Sequence, residues 1–536
     1  MNSSRIYPYP SRRYATYAAN GMCATSNHLA AQAGIDMLKK GGNAFDAVVA
    51  MAACAIVLEP QTNGAGGDAF AIFSTPDGRL HGMNSSGVMG SAFTLEKMLE
   101  DGYDEMPAYG PKPITVPGVT AAWAALVQQH GRLSLGEVLA PAIRYAKEGQ
   151  AIATITCTSI ETMASRLREN TDCGPEFEEW FNTFMPNGCV PTPGELFYNK
   201  PLGETLEKVA KTNGRELYEG ETAEKIVECC RRYGGFLTRE DLANHQVEWV
   251  KPLSAAYHGY EVWELPPNGQ GLVALMALNI LNGFEPSPAD DLLGTHRQIE
   301  AIKLAFSDGL KYITDPRHMA LRPEELLTPE YAARRRALIG GTALEPFPGD
   351  PRNSGTVYMC AADREGNMIS YIQSNYAGFG SGVVIPGTGI AMQNRGKSFS
   401  LDANHANVAA PGKKPYHTII PGFLTKNGKP VGPFGVMGGF MQPQGHVQVI
   451  TRYIDCGMNP QACIDAPRWQ WTKGKNISVE AGFPQHLVEG LLASGHKMSY
   501  DINTGAFGKG QMIFKTEQGT LIGGTEPRCE GACAAW

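Results

Sequence analysis

At about two-thirds of its length the 536-residue chain changes character. Residues 340–355 read Gly-Gly-Thr-Ala-Leu-Glu-Pro-Phe-Pro-Gly-Asp-Pro-Arg-Asn-Ser-Gly, a loop composition with no apolar period. Thr356-Val-Tyr-Met-Cys-Ala-Ala-Asp363 follows as a nearly continuous apolar strand. A strand without polar alternation is buried on both faces. The chain also carries 62 glycines and 36 prolines, which call for many tight turns and close backbone approaches rather than long helical bundles. At 43% hydrophobic and 18% charged residues it is neither a disordered tail, a fibre nor a coiled coil. The length allows two to four ordinary domains or one large layered fold.

Upstream, helical spacing runs over His28–Lys40 and stops at Gly41-Gly42; Asn43 then caps an apolar helix from Ala44. Its run Ala47–Leu58 is too short to span a bilayer and reads as a buried helix. The glycine loop Asn63–Asp68 leads into a strand, Ala69–Ser74, and a turn at Pro76–Gly78, the start of an antiparallel sheet. Leu133–Gly149 is a helix capped by Ser134, 151–250 is mixed and mostly helical, and Val262–Leu265 is a strand running into Pro266–Gly271. Val273–Leu281 and His296–Tyr312 are helices, and Val383–Ile385 a later strand.

A net charge of -7, with no basic block, argues against a nucleic-acid partner. The N-terminus shows no secretory h-region, and the 12 cysteines form no C-x-x-C pair. Reduced thiols in a cytoplasmic protein are expected, without structural zinc. The histidines offer neither His-x-x-x-His nor HExxH, so neither a catalytic metal nor another cofactor is expected.

Arg364–Asn367 is a four-residue turn, and Met368–Ser374 the return strand. If Asp363 pairs with Met368, Thr356 falls opposite Asn375, with Ser374 one place away. A bulge or an odd loop moves the partner to Ser374, and a one-residue slip changes which side chain shares the face. Pattern alone leaves both residues beside Thr356. A hydroxyl that opens a buried strand after a glycine has a chemical use. Were the Gly355–Thr356 bond cut, Thr356 would gain an α-amine titrating near 7.7–8.0. That amine can take the hydroxyl proton, making the residue a nucleophile with its own base. Threonine is also an ordinary strand residue, so this feature alone only nominates it.

Ordered motifs raise its weight: GGNAFDAVVA (41–50), EPQTNGAGGDAF (59–70), TVPG (115–118), PPNGQG (266–271), EAIKLAFSDGLKY (300–312), GTVYMCAADREGN (355–367), GFGSGVVIPGTGI (378–390) and GVMGGFMQPQGH (435–446). With these the chain resembles the gamma-glutamyltransferase (gamma-glutamyltranspeptidase) family along nearly its whole length. The resemblance implies an α+β fold, the αββα four-layer sandwich of an N-terminal nucleophile hydrolase. It implies a zymogen that cuts itself before Thr356 into a large piece, 1–355, and a small piece, 356–536, which stay associated in one fold and can pair as a dimer. Thr356 matches the nucleophile, Ser374 a hydroxyl that hydrogen-bonds it, and Gly438-Gly439 the pair whose N–H groups form the oxyanion hole. The implied substrate is a small-molecule acyl amide, as in glutathione metabolism, with water or an amine as acceptor.

Three departures from the family touch substrate binding. The region where the family places a carboxylate-binding arginine reads Met83-Asn-Ser-Ser-Gly-Val-Met89, without one. The family's aspartate falls at Ser398, and its tandem serines at His417-Thr418. An α-carboxylate and α-ammonium buried without partners lose hydration with no return. Arg395 is the cation left nearby: it either anchors a carboxylate of the acyl chain or pairs with Asp402 or a backbone carbonyl. His417 is either a pocket donor or a satisfied core histidine, and Asn375 and Thr418 complete the expected binding set. The reading is therefore an amide hydrolase/acyltransferase for γ-glutamyl or related groups. Its alternative is an acylase or amidohydrolase for a non-amino-acid acyl group, cephalosporin-acylase-like or oxamate-amidohydrolase-like. A dinucleotide site at Gly64–Ala69 fails because the loop precedes a strand instead of opening a helix, and a non-catalytic binding module would not be expected to keep Gly355, Thr356, Ser374 and Gly438-Gly439 together.

Overall fold

A computed structural model describes residues 13–346 and 355–536. Most of the loop expected at 340–355, namely 347–354, lies outside the described residues, as do the N-terminal residues 1–12. Gly355 itself already belongs to the strand, which runs Gly355–Asp363.

That strand sits third in a seven-stranded antiparallel sheet ordered Ala532–Ala535, Gly21–Thr25, Gly355–Asp363, Met368–Tyr376, Asp68–Ser74, Leu80–Ser85, Glu248–Val250. A second seven-stranded sheet is ordered Thr16–Ala18, Leu521–Thr525, Lys509–Lys515, Lys429–Met437, Gly422–Lys426, Tyr260–Glu264, Leu253–Tyr257. Residues on both sides of position 355 supply strands to each sheet, so neither expected piece owns a core of its own.

The apolar character of the Thr356 strand now has its reason. Val357, Met359 and Ala361 face one core with the helices Ala44–Leu58 and Val119–His130. Tyr358, Cys360 and Ala362 face the opposite way, into a core shared with Phe423 and Ile513 of the second sheet. A third core packs the helices Gly271–Leu281, Leu292–Tyr312 and Met441–Ile454 on the outer face of that sheet. Helices, sheet, sheet, helices: the expected αββα sandwich.

Local signals held with small boundary shifts. Asn43 and Asp46 form a capping box on Ala44–Leu58, every residue of which is buried, as the apolar run requires. Ser134 and Glu137 cap Leu135–Glu148 in the same way. The first helix ends at Lys39, one residue earlier than its spacing predicted, and the late strand starts at Val384 rather than Val383. Among the described residues, no helix is long and apolar enough to cross a membrane.

Candidate active site

The hairpin register departs from the simple count. Ala362, not Asp363, pairs with Met368. Asp363 is drawn into the turn because its Oδ1 accepts the Glu365 and Asn367 N–H groups, both at 3.0 Å. Val357 therefore pairs with Gln373, and the register shifts again between Gly355 and Val357, where Gly355 meets Tyr376. The result puts Thr356 across from Ser374, with their hydroxyl oxygens 3.3 Å apart. Both side chains are buried, Thr356 1% exposed. Ser374 Oγ also accepts the Tyr376 N–H at 2.8 Å, which turns its own proton toward other acceptors.

Asn375 is not beside Thr356. Alternation along the strand sends it to the other face, with Gln373, whose Nε2 donates to Asn63 Oδ1 at 2.6 Å. There the Asn375 amide rests on the glycine loop: a Cβ on Gly67 would lie 2.7 Å from Asn375 Oδ1, and one on Gly64 2.7 Å from its Nδ2. The loop thus serves close packing of backbone on the hairpin.

Opposite Thr356, the strand Lys429–Met437 turns into the helix Met441–Ile454 through Gly438 and Gly439. Their φ values are +135° and +62°, the left-handed half of the map that glycine alone enters freely. Gly438 and Gly439 carbonyls accept the Met441 and Gln442 N–H groups that begin the helix. Gln442 Nε2 donates to Thr356 Oγ at 3.4 Å, and its Oε1 accepts the Ile420 N–H at 2.9 Å. The positive end of a helix and a glycine turn therefore adjoin the Thr356 hydroxyl, an arrangement suited to a developing oxyanion. Gln270 Nε2 holds the turn, donating to the Gly439 carbonyl at 2.8 Å and to that of Thr418 at 2.7 Å.

Gln442 and Gln270 escaped the sequence reading, although both sit inside quoted motifs, GVMGGFMQPQGH and PPNGQG. So did Asp68, at the end of the glycine loop. It is fully buried, and desolvation, opposed chiefly by the Arg395 charge, pushes its carboxyl up to about 7. Its Oδ1 accepts Gln393 Nε2 and the Gly87 N–H, and its Oδ2 lies 3.0 Å from His417 Nε2.

That last contact corrects the pocket role expected of His417. Its Nδ1 accepts the Ile419 N–H, so Nε2 carries the proton and donates to Asp68. Burial, with Arg395 and Lys414 nearby, holds the imidazole neutral, its pKa far below the usual value. Both ring nitrogens are used inside the protein, and His417 is a satisfied core histidine. Ser398 lines the cleft, but its one hydroxyl proton has two protein carbonyls in reach, those of Arg395 at 2.9 Å and Tyr416 at 2.8 Å. Thr418 Oγ1 accepts Arg395 Nη1 at 2.8 Å. Arg395 does not pair with Asp402, which caps its own turn through Asn404. In the stretch without an arginine, Asn84 and Ser86 bond to Asn268, and Ser85 to the Gly118 carbonyl.

A cleft of about 690 Å³ opens beside this machinery, walled by Tyr376, Ser398, Phe399, Tyr416 and Phe440. Elsewhere, His296, Glu300 and His496 are close enough to share a metal ion. They already form a hydrogen-bonded ion cluster, His296 Nδ1 to His496 Nε2 at 2.9 Å, with the Lys303 ammonium 2.7 Å from Glu300.

The family model described as Gamma-glutamyltranspeptidase matches residues 30–536. A glutathione hydrolase-like proenzyme of Bacillus subtilis is 37% identical over 524 residues, 95% of this chain and 97% of the relative. An oxamate amidohydrolase proenzyme of Klebsiella pneumoniae is 35% identical over 531 residues, 97% and 99% of the two chains. The crystal structure of a cephalosporin acylase from Bacillus halodurans superposes with a TM-score of 0.95 at 53% identity, covering 100% of this chain and 99% of the other.

Proposed function

The chain belongs to the gamma-glutamyltranspeptidase family, and from that premise we propose that it is a self-processing N-terminal threonine amide hydrolase and acyltransferase. One observation carries the reading: the Thr356 hydroxyl lies against Ser374 and Gln442 at the glycine turn. In processing, Thr356 Oγ attacks the Gly355 carbonyl. The peptide C–N bond breaks as the ester C–O bond forms, and the nitrogen becomes the Thr356 α-amine. Water then hydrolyses the ester, leaving a carboxylate on Gly355 and the hydroxyl on Thr356. Large and small pieces, 1–355 and 356–536, remain together because each supplies strands to both sheets.

In turnover the α-amine takes the Oγ proton, and Oγ adds to the substrate amide carbonyl. The oxyanion is held by the Gly438 and Gly439 N–H groups. The C–N bond breaks, the leaving amine takes the proton, and an acyl ester on Thr356 remains. Water returns the acid, or an amine acceptor takes the acyl group.

The acyl group is γ-glutamyl or a related one. A second reading, an acylase for groups without an α-amino acid end, is favoured by the arginine-free stretch Met83–Met89. The 53% identity with the cephalosporin acylase from Bacillus halodurans supports it further. A reducing, cytoplasmic setting is part of the proposal, supported by cysteines that are all unpaired.

A denaturing gel and two chromogenic amides test this. The wild type should resolve into two bands and the Thr356→Ala chain into one near 57.8 kDa, without turnover. Processing and turnover surviving in Thr356→Ala would end the proposal. Preference for glutaryl- over γ-glutamyl-p-nitroanilide selects the acylase reading, and the reverse preference the γ-glutamyl one.

A further inference from the structure

Arg395 is an unusual cation to leave inside a protein. Its side chain is fully buried. Nη1 donates to Thr418 Oγ1, but among the described residues Nε and Nη2 have no hydrogen-bond partner. A buried guanidinium normally satisfies its donors, because the hydration lost on burial is otherwise not returned. The two unused atoms lie on one side of the guanidinium. That Nε/Nη2 edge is one of the pairs of parallel N–H groups that fit the two oxygens of a carboxylate.

The surrounding groups do not claim this edge. Asp68 influences Arg395 through space, yet its oxygens are occupied by Gln393, the Gly87 N–H and His417. At the cleft mouth Lys397 is already paired with Glu105 at 2.8 Å. Among the described residues Arg395 therefore keeps a pair of unpartnered N–H groups beside Tyr376.

Tyr376 stands between that charge and the cleft. Its ring lies under the guanidinium at 4.3 Å, and the same residue lines the cleft. Its backbone has φ +76°, a left-handed conformation that a tyrosine rarely adopts and that persists where the surroundings impose it. It is also two residues beyond Ser374, at the end of the strand paired with the one that carries Thr356.

We infer that Arg395 and Tyr376 form the far end of the acyl pocket and select amides of dicarboxylic acids. The distal carboxylate docks on the Nε/Nη2 edge, and the Tyr376 ring is the wall that moves to admit it. This deepens the amide-hydrolase reading and rests on it.

The test uses the processed two-piece enzyme. Glutarate and butyrate have similar reach and differ in the second carboxylate. Glutarate should compete with glutaryl-p-nitroanilide and bind at least about 10-fold tighter than butyrate, as expected for a charged, two-point hydrogen bond. Equal binding of the two acids overturns the inference. In Arg395→Lys, which keeps charge but lacks the planar edge, the kcat/KM ratio of glutaryl- to butyryl-p-nitroanilide should fall about 10- to 100-fold. An unchanged ratio also overturns it. Should the variant fail to process, the wild-type comparison of acids decides. Direct titration of glutarate by calorimetry separates the two readings. Binding without turnover of any amide removes the proposed function and keeps the pocket; turnover without glutarate selectivity removes the pocket and keeps the function.

Discussion

Removing the Ser374 hydroxyl isolates the part of the site that the hairpin builds. Ser374 Oγ accepts the Tyr376 N–H at 2.8 Å and lies 3.3 Å from Thr356 Oγ, with both side chains buried. In Ser374→Ala the amide loses this acceptor in a water-free position, at a cost of about 1–3 kcal/mol. Unfolding entropy of about 2.1 cal/mol/K per residue, over the whole chain, amounts to about 1.1 kcal/mol/K. The thermal midpoint should therefore fall by only about 1–3 °C. The chemical effect is larger in proportion. Thr356 Oγ loses a hydrogen bond worth about 1–2 kcal/mol, a factor of about 5–30 in rate. Calorimetry reads the midpoint, timed gels read conversion to two bands, and single-turnover kinetics read acylation. Slower processing and acylation with a nearly unmoved midpoint are expected, with recovery in Ser374→Thr. A Ser374→Ala enzyme that matures and acylates at the wild-type rate refutes the pairing of the two hydroxyls as a working part of the site.

Two other perturbations probe the opposite wall and a buried histidine. Gly438→Ala must place a side chain at φ +135° with its Cβ 3.1 Å from Gly508 Cα; kcat should drop about 10²–10³-fold, as for loss of an oxyanion donor, and a wild-type kcat would remove Gly438 from that role. His245 is buried against Tyr218 and Ser85, and desolvation holds its pKa down to about 3. A histidine with a depressed folded pKa contributes stability that is complete above about 6.5 and is lost as pH falls, because only the unfolded chain takes the proton. Measured on the uncut Thr356→Ala chain, its stability advantage over the same chain carrying His245→Gln should shrink by about 1.4 kcal/mol per pH unit between about pH 6.5 and 4. An advantage that stays constant over that range contradicts a neutral buried imidazole.

Much of the frame was legible in local pattern because its causes are local. Asn43 with Asp46 and Ser134 with Glu137 announce helix starts, and the unbroken apolar run after Thr356 announces a strand between two cores. The ordered motifs likewise nominated Thr356, Ser374 and the glycine pair. Binding residues were harder to assign. Ser398 and Thr418 are spent on protein partners, Asn375 faces the wrong side, and His417 reaches back to Asp68.

What the amino-acid order supplied, through its ordered motifs and the family they resemble, was the sandwich, Thr356 as the candidate nucleophile and the short list of its neighbours. The choice between Ser374 and Asn375 waited on an aspartate folding into its turn and on a register shift beside Gly355, since one residue of slip exchanges the faces of a strand. The unsatisfied edge of Arg395, the contact of Gln442 with Thr356 and the neutral state of His417 depended on partners far away in sequence. Burial and hydrogen-bond satisfaction are properties of the packed whole, and only packing could decide them.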